Sequence, residues 1–104
     1  MDRFEVSKLR GYYGALLTDR QNEMLVMHYD EDLSFGEIAE ICGVSRQAVL
    51  DGINKGERHL AEFEKKLRLA DKDERIRSLL QEVSQNCDGK TVEVVARIES
   101  ILEE

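Results

Sequence analysis

Arg46, Gln47, Asn54, Lys55 and Arg58 are the side chains whose types and spacing suit a definite chemistry, the recognition of a nucleic-acid surface. An Arg can fork to the N7 and O6 of guanine, and a Gln can pair with the N6 and N7 of adenine. Lys55 and Arg58, further along the same segment, are better suited to phosphate oxygens, which fix register without reading sequence. Ser45, immediately before this group, is a further candidate for nucleic-acid contact, and Asn54 lies within the group. Upstream, Arg20 and Gln21 sit where another helix is expected to start, where side chains and free backbone amides together suit phosphate contact. Asp51 lies among these residues and works against them, because a carboxylate repels phosphate.

No comparable pattern points to catalysis. There is no Gly-rich phosphate loop, and no nucleophile stands beside a base at a recognisable spacing. His28 and His59 have no Cys or carboxylate at metal-ligand spacing. Cys42 and Cys87 are far apart in sequence and form no CxxC pair. Both cysteines read as small apolar residues at packed faces. The expectation is a protein that is not an enzyme, with no cofactor and no metal.

The residues that must position Arg46 and Gln47 are SFGEIAEICGVSRQAVLDGI, Ser34 to Ile53. Ser34 and Glu37 have the spacing of a capping box, in which the Ser side chain accepts from the N3 amide and the Glu reaches back. Ile38, Ala39 and Ile41 supply the buried face of a short helix. Gly43 stops it, since Gly takes a left-handed position at little cost. After a short turn Ser45 caps a second helix. Two short helices joined by such a turn are a helix-turn-helix. In it Ala39 is small where the helices cross, and Val44 and Val49 plug the space between them together with Ile38 and Ile53.

Six helices are expected in all. The first covers about Val6 to Leu17, with Leu9, Tyr13, Leu16 and Leu17 on one side. The second follows Thr18 as N-cap and runs to about Tyr29, with Met24, Leu25 and Met27 apolar. The third is the short helix after Ser34. The fourth is long, about Arg46 to Leu69. Its seam of Val49, Ile53, Gly56, Leu60, Phe63 and Leu67 is spaced 4, 3, 4, 3, 4, as for packing along a second helix. Gly52 and Gly56 are internal to it and suit either close approach by a neighbour or simple tolerance. A fifth helix, about Lys72 to Gln85, carries Ile76, Leu79, Leu80 and Val83. A turn at Asn86–Gly89 leads to a sixth, about Thr91 to Leu102, with Val95, Ile98 and Leu102 on one face and Val92, Val94 and Ile101 widening it. These last stripes have to be buried, in the core or against a partner chain. The chain therefore divides into residues 1–70, the helix-turn-helix with its long helix, and 71–104, a C-terminal helical hairpin packing on it as one compact unit.

Charge limits the partners. The chain of 104 residues carries a net −7, with −3 in residues 1–70 and −4 in residues 71–104. Counterion release by Lys and Arg drives non-specific nucleic-acid binding, so any such contact has to be local on an acidic background. The N-terminus MDRFEVSK has no apolar run of signal-peptide type, and no stretch approaches the roughly 20 apolar residues that span a bilayer. A cytoplasmic protein with no membrane partner is the expectation.

The segment TDRQNEMLVMHYDEDLSFGEIAEICGVSRQAV is similar to region 4 of sigma-70 family factors, with their LT-x-R-Q entry, acidic loop and S-x-x-E-I-A-E-x-x-G-V-S motif. ALLTDRQNE, VSRQAV and the continuation to FEKKLRLA more specifically resemble the YlxM family of small bacterial helix-turn-helix proteins, and this resemblance covers nearly the whole chain. It implies an all-α fold: a sigma-70 region 4-like helix-turn-helix, a long fourth helix and a C-terminal helical hairpin. It also implies DNA as a partner, or the signal recognition particle's RNA or its Ffh GTPase, since the family is linked to that pathway. A homodimer is expected, as small helix-turn-helix proteins often pair to span two half-sites. Enlarging Ala39 tests the helix crossing: Ala39→Leu is expected to lose about 1–3 kcal/mol by overpacking, measured by thermal or urea unfolding. A variant of unchanged stability would place Ala39 away from the crossing.

Overall fold

The structure, a computed structural model, describes residues 1–86 and 88–104. Cys87, read above as a packed thiol in a turn, lies outside the described residues. The described residues form helices and turns, with no strand among them, in two compact units, Met1–Arg68 and Leu69–Glu104.

The first unit is built on one long helix. Its elements are α1 (Arg3–Tyr13), α2 (Asp19–Leu25), α3 (Phe35–Cys42) and α4 (Arg46–Leu67). Each begins at a side-chain cap. Asp2 accepts from the Glu5 amide, Thr18 from Gln21, Ser34 from Glu37 and Ser45 from Ala48. At Thr18 and Ser34 the capping box is complete. α4 has 22 residues and so is about 33 Å long. α1, α2 and α3 all pack on it. Val6, Leu9, Tyr13, Leu17, Met24, Leu25, Ile38 and Ala39 are buried, as are Val49, Ile53 and Leu60 of α4.

Gly52 and Gly56 are used for close approach. A Cβ placed on Gly52 would lie 2.8 Å from Met24 Sδ, and one on Gly56 would lie 3.0 Å from Leu25 Cδ1. Polar contacts fasten the edges of this packing. The Tyr13 hydroxyl donates to Glu64 Oε1 at 2.5 Å, and Tyr29 donates to Glu57. Arg10 donates to Asn22 and to Asp30, at 2.8 and 2.9 Å, while Ser7 also donates to Asp30.

Several boundaries differ from the sequence expectation. α1 ends at Tyr13, and Gly14–Leu16 form a 3-10 turn. The tighter winding rotates Leu16 outward, 57% exposed, while Leu17 stays buried. Beyond Leu25 the chain widens into a π turn, Val26–Asp30, closed by the Glu31 amide donating to the Val26 carbonyl at 3.0 Å. α4 stops at Leu67 because Arg68 takes a left-handed conformation, φ 55°. Leu67, in that last turn, is exposed rather than on the packed seam.

In the helix-turn-helix, Ile41 and Val44 are exposed, not packed as their apolar character suggested. The buried arc of α3 is Ile38, Ala39 and the half-buried Cys42. Ile41 falls about 110° from the middle of that arc at 100° per residue. Val44 follows the left-handed Gly43, φ 67°, which turns the chain away from the core while the Val44 amide satisfies the Ala39 carbonyl.

The second unit is a hairpin of α5 (Leu69–Gln85) and α6 (Gly89–Leu102). α5 begins three residues before the expected Lys72, directly after the left-handed Arg68, and Asp88 caps α6 by accepting from the Thr91 amide at 2.9 Å. The expected burial of its stripes does not occur within the chain. Val95 is buried and Leu80 and Leu102 are half-buried, but Ile76, Leu79, Val83, Val92, Val94, Ile98 and Ile101 are exposed.

Two measurements test this packing. Met24 can swing its thioether aside, whereas Leu25 is fully buried. Gly52→Ala is therefore expected to keep or slightly raise stability, through helix propensity, and Gly56→Val to lose about 1–3 kcal/mol. Equal losses in urea unfolding would contradict the difference. The Tyr29 pKa is raised to about 12 by burial first, then by its hydrogen bond to Glu57 and that carboxylate's charge. The neutral phenol is the form the fold favours. Its contribution is thus complete below the ordinary value near 10 and is lost as pH rises through the folded value. Phenolate absorbance should show this late titration, and Glu57→Gln should bring it toward 10.

Candidate nucleic-acid interface

The turn at Gly43 and the cap at Ser45 together fix where α4 starts and which way its first turn points. Ser45 Oγ is 3.0 Å from the Ala48 amide nitrogen, so its hydroxyl is engaged in capping. Arg46 and Gln47 follow as the first two helical residues, both exposed.

Core contacts set the rotation of α4. Val49, Ile53, Gly56 and Leu60 face inward. At about 100° per residue the opposite meridian carries Gln47, Asp51, Asn54 and Arg58, spaced 4, 3 and 4. Lys55 flanks this stripe on one side and Leu50 on the other, while Arg46 falls nearer the core-facing side and is exposed because it stands at the very start of the helix. The five residues singled out on α4 by chemistry are thus all exposed, and four of them follow one continuous strip or its border. Arg46 is the fifth, exposed at the helix end but off the strip. Asp51 occupies the middle of the strip and accepts a hydrogen bond from Gln47 Nε2 at 3.1 Å. This contact orients the Gln47 carboxamide and leaves its oxygen and second N–H available.

Arg20 and Gln21 are placed differently. Arg20 is exposed at the start of α2 and donates from Nη1 to the Cys42 carbonyl at 3.3 Å, tying α2 to the end of α3. The Gln21 amide donates to Thr18 Oγ1 at 3.1 Å, and Gln21 Oε1 accepts from the Thr18 amide at 3.3 Å. Its backbone donor is therefore spent in the capping box, not free as the sequence suggested; only its Nε2 remains for an outside partner.

Sequence reasoning did not select Phe35 or Leu50. Both are half-buried, and with Arg46 and Gln47 they line an open depression of about 440 Å³ where the first turns of α3 and α4 meet. Phe35 is held there by stacking on His28, ring centroids 4.7 Å apart. The signal for it was an aromatic residue at the first position of a capped helix, where a polar residue is more usual.

The surroundings are acidic. Glu37 and Glu40 are exposed on α3. Glu37 is held below the usual carboxylate range by the Ser34 amide and hydroxyl that it binds, so it stays charged at every physiological pH. Among the described residues no group of His, Cys, Asp and Glu is arranged to hold a metal ion, and no helix is long and apolar enough to cross a membrane.

Comparison with known proteins follows the same outline. The family model described as "Putative helix-turn-helix protein, YlxM / p13 like" matches residues 1–100. A UPF0122 protein of Clostridium perfringens is 44% identical over 89 residues, covering 82% of this chain and 80% of its own. One from Desulforamulus reducens is 44% identical over 85 residues, 82% and 73% of the two chains. One from Halalkalibacterium halodurans is 40% identical over 92 residues, 86% and 84%. A capped α3, a left-handed Gly43 and a capped α4, within a match that spans almost the entire sequence, place this chain in the UPF0122 family of YlxM-like helix-turn-helix proteins.

Proposed function

We propose that the protein is a DNA-binding regulatory protein that lays the first turns of α4 in a major groove. The observation that carries this reading is the placement of Arg46 and Gln47, side by side and exposed, at the capped N-terminus of α4. Arg46 takes the role of a guanine reader and Gln47 that of an adenine reader. Asn54 borders the same groove, and Lys55, Arg58 and Arg20 serve phosphates, with the Gln21 side chain at the edge. On this reading Ser45 sets the helix start. Through the family resemblance, the regulation concerns the signal recognition particle pathway in a cytoplasmic setting.

A second reading is favoured by one observation, the carboxylate of Asp51 in the middle of the strip. A phosphate-lined groove opposes that charge, whereas a protein surface can satisfy it. The protein would then be an accessory module that ignores DNA; of its two candidate partners, the particle's RNA and its Ffh GTPase, this carboxylate fits the GTPase.

Titrations of duplex DNA (random and the upstream DNA of its own gene), particle RNA and Ffh at two salt concentrations separate the readings. Tight binding to one duplex, falling steeply with salt, is the expected result. Arg46→Ala should abolish it without altering the unfolding transition, because Arg46 is exposed and has no part in the core. Asp51→Asn should tighten binding to every duplex alike, by removing a repulsion that does not depend on sequence. Unchanged affinity in Arg46→Ala would dismiss α4 as the reader, and binding confined to the RNA or the GTPase would establish the second reading.

A further inference from the structure

We infer that the apolar face of the α5–α6 hairpin is covered by the same face of a second copy, forming an antiparallel four-helix bundle. The inference concerns Leu69–Glu104 and does not rest on the DNA-binding reading.

The two helices meet along a line that is largely polar. Asp73, Arg77, Leu80 and Ser84 of α5 and Thr91, Val95, Glu99 and Leu102 of α6 are its buried and half-buried residues. Arg77 spans it, donating to Asp73 at 3.0 Å and reaching Glu103 at 3.5 Å. On one side of this line the surface is hydrophilic, a shallow depression lined by Glu74, Arg77, Ser78, Gln81, Ser84 and Glu99. The helical repeat puts Ile76, Leu79 and Val83 of α5 and Val94, Ile98 and Ile101 of α6 together on the other side. All six are exposed, Leu79 and Ile101 most of all at 62 and 63%. Two helices of 17 and 14 residues with so few buried apolar side chains have too small a core to hold a fixed structure alone. Burying large aliphatic side chains contributes about 1.5–3 kcal/mol each.

Charge identifies the occupant as a second copy. Arg75 and Glu82 stand at equal distances either side of the midpoint between Ser78 and Leu79, both on the outer edge of α5, with Arg75 also 3.7 Å from Asp71 of its own helix. If α5 lies antiparallel on its counterpart with Leu79 near the two-fold axis, Arg75 of each copy falls beside the other copy's Glu82. The same axis crosses α6 near Arg97 and Ile98. There it sets Val94 against the other copy's Ile101, and Lys90 against the other copy's Glu104. An edge whose unlike charges are equidistant from its centre complements itself, the requirement of an isologous interface.

Sedimentation equilibrium on the full chain is the test. The native protein is expected at twice the monomer mass of 12.0 kDa. Leu79→Lys should run as a monomer. Arg75→Glu and Glu82→Arg, both surface changes, should each weaken the dimer about tenfold or more by setting like charges together. The double variant Arg75→Glu/Glu82→Arg should restore it, and at concentrations where they are dimeric circular dichroism should show native helix content in the two single reversals and the double variant. A monomeric native chain at 100 µM-scale concentration would overturn the inference. So would a dimer indifferent to Leu79→Lys, or two single reversals that the double variant fails to repair.

Discussion

Three helices of the first unit share a single support, and α2 lies closest on it where α4 has glycines, above all at Gly56 under the fully buried Leu25. At Gly52 and Gly56 the neighbouring Met24 and Leu25 come within contact of positions that any Cβ would crowd. This close contact sets the rotation of α4 about its own axis. Rotation in turn decides which residues face outward. The meridian of Gln47, Asp51, Asn54 and Arg58 is the antipode of Val49, Ile53, Gly56 and Leu60. The exposed chemistry is thus a consequence of where two glycines stand on the hidden side.

Electrostatics gives the face its character. Arg58 shares the strip with Asp51, Lys55 borders it and Arg46 stands at the helix start, while the adjoining α3 presents Glu37 and Glu40. Glu37 cannot be traded away without loss, since it closes the capping box that starts α3. Part of the acidity around the face is therefore structural in origin. Asp51 differs, because its contact is with Gln47 rather than with the backbone. It orients a residue placed to read a base, and the same charge opposes phosphate.

The helix-turn-helix was legible in the sequence because its punctuation is local. Ser34, Glu37, Gly43 and Ser45 act on backbone groups within a few residues, and all four do what their types suggested. The solvent exposure of Gln47, Asn54, Lys55 and Arg58 followed from periodicity. What stayed hidden depends on departures from ideal winding. The 3-10 turn at Gly14–Leu16, the π turn at Val26–Asp30 and the left-handed Arg68 have no strong residue signature, yet each changes which side chains point inward. Phe35 escaped notice because its partner, His28, lies in the π turn before the acidic loop, and the contact across that loop has no periodic signature. The hairpin stripes were read correctly as stripes, but periodicity does not say what covers them.

The π turn also records something about chain length. A π turn holds one residue more than the α turn it replaces. A chain lacking one residue between Val26 and Asp30 can continue as ordinary α-helix, without a gap and without disturbing Met24 or Leu25. It would, however, rotate everything after the deletion by about 100°. Tyr29 would swing away from Glu57, and the aromatic edge that supports Phe35 would be dismantled. A single codon in this stretch would thus alter the approach to the candidate interface while α2 upstream of it keeps its place.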